Sequence, residues 1–294
     1  MPHSSRRDFL KTGLAATMLG GLGGLPARAA KRTATDWVTL GKSGVKVTRL
    51  ALGTGTFSGR TQRELGQEQF TRLVRYAYDR GIRFFETAES YGGMHQMLGV
   101  ALQGVPRDSY RLMTKMTVHP DMDAQPKIDQ FRRDLKTDYF DILLLHYMHN
   151  PKWASDYART QDGFSEAQSK KIIVGKGASV HGLQTLRTFP GNQWLEIAMI
   201  RMNHKGVRMD TEVAEGPGLG NVSEVVEHTR QVHKQGMGVI SMKLAGEGQF
   251  TSRDDRQKAL KFAMSIGVVD AVTIGYKSTA EVDEAIENLN MALA

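Results

Sequence analysis

The 294 residues include no cysteine. That absence excludes disulfides, thiolate metal sites and cysteine nucleophiles together. It leaves the redox compartment undecided, because a chain without thiols is safe on either side of a membrane. From residue 36 onward no run approaches about 18 uninterrupted apolar residues, so stable membrane insertion of the mature chain is not expected. No two histidines take helical metal-ligand spacing beside a suitable carboxylate, and no metal site is expected. The basic residues form no long run and have no interleaved aromatics, so nucleic-acid binding is not expected either. There is no internal repeat and no low-complexity linker after residue 36.

The formal charge of +8 is partly a property of the first thirty residues. These hold Arg6, Arg7, Lys11 and Arg28 against Asp8, and removing them leaves 35 basic and 30 acidic residues. A basic start, an apolar Gly/Ala/Leu stretch over Thr12–Leu25 and the small-x-small end Ala27-Arg28-Ala29 have the layout of a secretory signal. Ser5-Arg6-Arg7-Asp8-Phe9-Leu10-Lys11 resembles the twin-arginine export motif. The expectation is a signal peptide over 1–29, cleaved after Ala29, and one domain over 30–294. The partner during export would be the twin-arginine translocase, which carries folded proteins, and the destination would be the periplasm.

Short apolar runs then alternate with amphipathic helical patterns. Asp36–Leu40 and Val45–Val47, joined by GKSG, read as a small hairpin closing the bottom of the fold. Eight strand candidates follow: Leu50–Gly53, Arg83–Glu86, Arg111–Met116, Phe140–His146, Val174–Val180, Leu195–Met202, Gly238–Leu244 and Ala271–Gly275. Helical patterns separate them, among them Arg63–Arg80, Ser165–Lys170 and Thr279–Ala292. In the first of these, Phe70, Leu73, Val74 and Ala77 share one face. Eight strand–helix units over this length predict an α/β fold, a (β/α)8 TIM barrel. The rival is an open doubly wound sheet. It would need a glycine fingerprint after the first strand, and Leu52-Gly53-Thr54-Gly55-Thr56-Phe57-Ser58-Gly59 lacks G-x-G-x-x-G spacing.

Barrel chemistry sits at the C-terminal ends of strands. Here those ends carry Glu86 with Tyr91 in the next loop, then Lys115, His146, Ser179, Lys243 and the Gly275–Ser278 stretch. An acid, a phenol, an amine and an imidazole thus come from three consecutive strands. A nearby ammonium lowers a phenol's pKa, an imidazole shares its proton, and a carboxylate holds the amine in place and charged. The set suits protonation of a carbonyl oxygen. None of these side chains supplies hydride, so a nicotinamide cofactor is required. Glu89 reads as a loop or rim residue, His119, His149 and His181 as solvated or structural. The stretch from His146 to Gly163, with Trp153 and Tyr157, is expected to shape the pocket.

The order of motifs resembles the aldo-keto reductase family over nearly all of residues 36–294. GKSGVKVTRLALGTGTF is similar to the family's opening, and GIRFFETAESYG to its acid-then-tyrosine strand. TKM supplies the lysine, LLLH the histidine, and GKGASVHG is similar to the Gly-Val-Ser-Asn-His stretch. VISMKLAGEG and VTIGYKSTAEVDEAI resemble the cofactor segments of the last two strands. The resemblance implies a reductase of small aldehydes or ketones using NADP(H), with NAD(H) as the alternative. It makes Tyr91 the proton donor, Lys115 and His146 its partners and Glu86 the carboxylate. It places the nicotinamide near Ser179 and the backbone of Gly53, Thr54 and Gly55. Lys243, Leu244 and Ala245 would flank the pyrophosphate, and Gly275, Lys277 and Ser278 the adenosine phosphate end. The chain departs from the family at Glu86 (usually Asp), Val180 (usually Asn) and Met199 (near the usual Gln). Those departures keep a second reading open, a cofactor-binding sensor on the same scaffold; an isomerase using the Tyr–Lys pair is a third.

Overall fold

Strand and helix alternate from Leu50 to the C-terminus in the computed structural model, which describes residues 31–294. The expected signal peptide lies outside the described residues. A hairpin comes first, β1 (Trp37–Thr39) paired antiparallel with β2 (Lys46–Thr48). Eight parallel strands then close into a barrel: β3 (Leu50–Gly53), β4 (Phe84–Glu86), β5 (Arg111–Met116), β6 (Phe140–Met148), β7 (Ile173–Val180), β8 (Ile197–Arg201), β9 (Gly238–Met242) and β10 (Ala271–Gly275). The closing seam pairs β10 with β3, Val272 opposite Leu50 through Gly275 opposite Gly53. The chain is therefore a (β/α)8 barrel, not an open sheet.

Ten helices accompany the strands among the described residues: α1 (Arg60–Arg63), α2 (Gly66–Asp79), α3 (Met94–Leu102), α4 (Gln125–Leu135), α5 (Trp153–Asp156), α6 (Ala158–Ser169), α7 (Leu183–Leu186), α8 (Val222–Lys234), α9 (Arg253–Ser265) and α10 (Thr279–Leu293). α2 buries Phe70, Leu73, Val74 and Ala77, the face its spacing predicts. It does not continue back to Arg63, because Gly66 takes a φ of 72° and breaks the chain from α1. α6 begins well before the expected Ser165. Half of its buried face is polar, Thr160 and Gln161 beside Phe164 and Ala167, so no hydrophobic period announces it.

Two apolar layers result. One lies between strands and helices. The other fills the lumen with Ala51, Phe84, Met113, Ile142, Leu144, Ile197, Met199, Ile240, Met242 and Ala271, and it also takes Leu40, Val45 and Val47 from the hairpin region. The hairpin thus covers one end of the lumen. At the other end the period of two carries each strand's inward face one step beyond this apolar filling. Two residues after Ala51, Phe84, Met113, Leu144, Met199 and Ala271 come Gly53, Glu86, Lys115, His146, Arg201 and Thr273. Five of these six residues are polar, and they form the mouth of the barrel.

Candidate active site

Lys115 is fully buried, and its Nζ has two acceptors: the Glu86 carboxylate and the Thr87 carbonyl oxygen at 2.9 Å. A carboxylate in direct contact with the amine favours its ammonium form. Burial lowers its pKa and the Glu86 charge opposes that shift. Glu86 is gripped from its other side by Thr273, whose Oγ1 donates to Oε2 at 3.2 Å. The Glu86 backbone oxygen accepts from both the N–H and the hydroxyl of Thr54, each at 3.1 Å. Thr54 therefore pins the end of β4 to β3. The glutamate reaches the lysine across the adjacent strands β4 and β5.

Tyr91 lies over this pair. Lys115 Nζ stands 4.7 Å from the centre of the phenol ring, and the His146 ring meets it edge-on at 5.6 Å between centroids. The hydroxyl end points toward Gly55, where a Cβ would come within 2.6 Å of Oη. The tyrosine's carbonyl is held by Met94 N–H at 3.2 Å and by Arg63 Nη1 at 3.2 Å, so the loop is fixed from two sides. The expected lowering of the phenol's pKa is not found. Burial, then the charges of Glu86 and Glu247, push Tyr91 well above the usual tyrosine value. At the phenol, the negative charge of Glu86 opposes that of Lys115.

His146 is kept neutral. Burial, Lys115, His181 and Lys243 hold its pKa well below the ordinary imidazole range. Its Nδ1 lies 3.1 Å from Ser90 Oγ. With the serine donating to Nδ1, the proton of the neutral ring sits on Nε2.

A cavity of about 710 Å³ opens from this cluster. Gly53, Gly55, Glu86, Tyr91, Lys243, Leu244, Ala245, Gly275 and Lys277 line it, as do Met199 and Met242. Lys115, His146, Thr54, Ser179 and Ser278 do not. Ser179 is buried and its Oγ accepts from Tyr147 N–H at 2.9 Å. The Ser278 oxygen caps α10, accepting from Glu281 N–H at 3.3 Å. Val180 packs in the outer apolar layer. Along the cavity each lining cation has a carboxylate: Lys243 with Glu247 at 2.7 Å, Arg256 with Glu284 at 2.6 Å, Lys277 with Glu281 at 3.9 Å and Arg60 with Glu64 at 3.8 Å.

Two expectations are corrected here. Trp153 does not shape the cavity: it is fully buried and its ring packs against Phe189 and Trp194. Tyr157 packs beside the outer layer. Glu89 does sit on the rim, where it ties two loops together by accepting from Thr117 N–H at 2.9 Å and pairing with Lys127. The sequence does not single out Thr273, Glu247, Arg256 or Glu284; the period of two puts Thr273 on the inward face of β10, and barrel closure brings it to Glu86. Among the described residues no cluster of three metal-ligating side chains occurs, and no helix is long and apolar enough to cross a membrane.

Residues 49–291 match the sequence profile of the Aldo/keto reductase family. The chain belongs to that family. A stretch of this aldo-keto reductase is 33% identical over 117 residues to L-galactose dehydrogenase of Arabidopsis thaliana, covering 36% of each chain. The match spans about a third of the length of the curated relatives. Among solved structures, a Pseudomonas aeruginosa chain assigned to the same family superposes with a TM-score of 0.71 at 19% identity, covering 89% of this chain and 97% of its own. An aldo-keto reductase of Klebsiella pneumoniae solved in complex with NADPH gives 0.64 at 17% identity, covering 86% and 89%. At such identity these structures show the shared barrel.

Proposed function

We propose that this aldo-keto reductase reduces aldehyde or ketone carbonyls with NADP(H), taking the proton from Tyr91. The observation that carries the reading is the phenol ring set between an ammonium and a neutral imidazole at the mouth of a large cavity. The cavity fits a dinucleotide by size and by its cations. Lys243 would flank the pyrophosphate and Lys277 the adenosine end, each exchanging a partly exposed carboxylate for a phosphate. The bound nicotinamide would supply the hydride.

The side chains do the rest. High pKa keeps Tyr91 protonated at neutral pH, so it presents an O–H to a carbonyl oxygen. As charge builds on that oxygen, the tyrosine proton moves toward it and the ring becomes anionic over Lys115. The Lys115 ammonium is the charge of opposite sign beside that anion, acting against Glu86 and Glu247. Neutral His146 donates a hydrogen bond from Nε2–H to the same oxygen, keeps its proton and orients the carbonyl. Glu86 and Thr273 hold the lysine end so that none of this needs rearrangement. NADPH binding, measured by fluorescence titration against NADH, tests the cofactor. Tyr91→Phe should keep that binding and lose roughly 10²–10⁴-fold in kcat/KM for a simple aldehyde; undiminished reduction would sink the mechanism. The sensor reading draws on Met199, an apolar side chain facing the lumen, and steady turnover on an aldehyde panel rules it out.

We also propose export through the twin-arginine route to the periplasm. Its support is the Ser5–Lys11 sequence. Changing Arg6 and Arg7 to lysine should retain the precursor in the cytoplasm, as judged by fractionation.

A further inference from the structure

A half-buried tyrosine, a buried histidine and a buried arginine, at the ends of three neighbouring strands, face one carboxylate supplied by the chain itself. Tyr147 belongs to β6, His181 follows β7 and Arg201 ends β8. Glu215 reaches them from the loop between β8 and α8. Its Oε1 accepts from Tyr147 Oη at 3.1 Å and lies 3.5 Å from His181 Nδ1 and 3.7 Å from Arg201 Nη1. The depth differs sharply: the Arg201 side chain is 3% exposed and that of Glu215 56%.

Arg201 is built in. Its Nε and Nη2 donate to Asp210 Oδ1 at 3.0 and 2.6 Å, and Nη2 also to the Ala214 oxygen at 2.8 Å. That leaves Nη1 facing Glu215. The carboxylate itself is lightly held, on Glu215-Gly216-Pro217-Gly218-Leu219-Gly220. A second cavity of about 360 Å³ lies at this point, lined by Arg201, Arg208, Met209, Glu215 and Leu219 among others.

The cluster borders the reacting centre. Tyr147 directly follows His146, and its ring lies on that of His181 at 4.3 Å between centroids. Arg208 pairs at 3.5 Å with Glu247, which lines the larger cavity. Arg201 already has Asp210 as its counter-ion, so Glu215 meets only its remaining Nη1 together with the polar atoms of Tyr147 and His181. The His181 and Tyr147 contacts hold the Glu215 carboxyl down at about 2, so they favour a negative guest.

We propose that Tyr147, His181 and Arg201 form the seat for a carboxylate on the carbonyl substrate, and that Glu215 fills it in the free protein. The substrate class is then an oxo-acid. Its carboxylate replaces Glu215 charge for charge as the glycine-rich loop moves aside. A carboxylate is favoured over a phosphate because the donors are already arranged around a carboxylate oxygen. The reaction in this proposal rests on the reductase reading; the binding does not.

The test compares 4-oxobutanoate with butanal. Glu215→Gln removes the competing charge and should raise the ratio of their kcat/KM values roughly ten-fold, whereas Tyr147→Phe should lower it several-fold. An unchanged ratio in Glu215→Gln overturns the seat. Calorimetric titration with 4-oxobutanoate separates the two readings. Tighter binding to Glu215→Gln than to the wild type upholds the seat even if neither compound is turned over, which would count against the reductase reading alone. Equal binding, or none to either chain, overturns the seat.

Discussion

At the scale of single residues, the site depends on a hydrogen atom where most strands carry a side chain. A Cβ on Gly53 would sit 2.5 Å from Thr273 Oγ1 and 2.8 Å from Glu86 Oε2. Those atoms are the clamp on the lysine's carboxylate, so Gly53→Ala should push Glu86 off Thr273 and loosen Lys115. The expected cost is about 1–3 kcal/mol of stability from overpacking, read as a lower urea midpoint, together with a fall in kcat. A variant with the wild-type midpoint and turnover would show that Glu86 has room to shift. Glu86, Lys115 and His146 are legible in the sequence because each lies at or within two residues of the C-terminal end of its strand. Thr273 is not, because its partner lies 187 residues away and only barrel closure brings them together. Tyr91 was found by its loop, but its pKa was misjudged. The sequence shows a lysine near a phenol; it does not show that the charge of Glu86 opposes that of Lys115 there.

At the scale of elements, strands declared themselves better than helices. β3, β5 and β10 have the bounds their apolar runs suggest. The short helix at Trp153 and the front half of α6 did not, since burial there falls on polar side chains and on a tryptophan that reads equally well as a pocket wall. Helix ends carry clearer signals. Ser278-Thr279-Ala280-Glu281 opens α10 with a serine that caps the Glu281 N–H, while the Glu281 carboxylate turns back to accept from Lys277 N–H at 2.8 Å. Ser278, expected at the adenosine phosphate, uses its oxygen as a cap and keeps its O–H free to donate. Ser278→Ala should therefore cost about 1 kcal/mol in urea denaturation, with a modest change in NADPH affinity. A large loss of affinity at unchanged stability would return Ser278 to the cofactor site.

At the scale of the whole molecule, barrel closure buries imidazoles that an open chain would leave in water. His95 has 5% of its surface exposed, sits 2.7 Å from Thr114 Oγ1 and is held at about 4 by burial and by Lys115. His181 is held at about 3, chiefly by burial. Unfolded, each would titrate near 6.5. Between that value and its folded pKa the unfolded chain binds the extra proton, so stability rises with pH there and is lost as pH falls. Each such histidine contributes about 2 kcal/mol to the difference between pH 7 and pH 5, because the unfolded form is stabilised by about 1.4 kcal/mol per pH unit below 6.5. Depressed carboxylates such as Glu215, at about 2, act later, below their ordinary values. The expected profile is thus a first loss of stability from pH 6.5 downward and a second below about 4.5. His95→Gln keeps a polar atom toward Thr114 but removes the titration. Urea melts of both chains at pH 7 and pH 5 should show the wild-type difference shrinking by about 2 kcal/mol in the variant. An identical difference in the two chains would mean that His95 is already protonated in the folded state at pH 5.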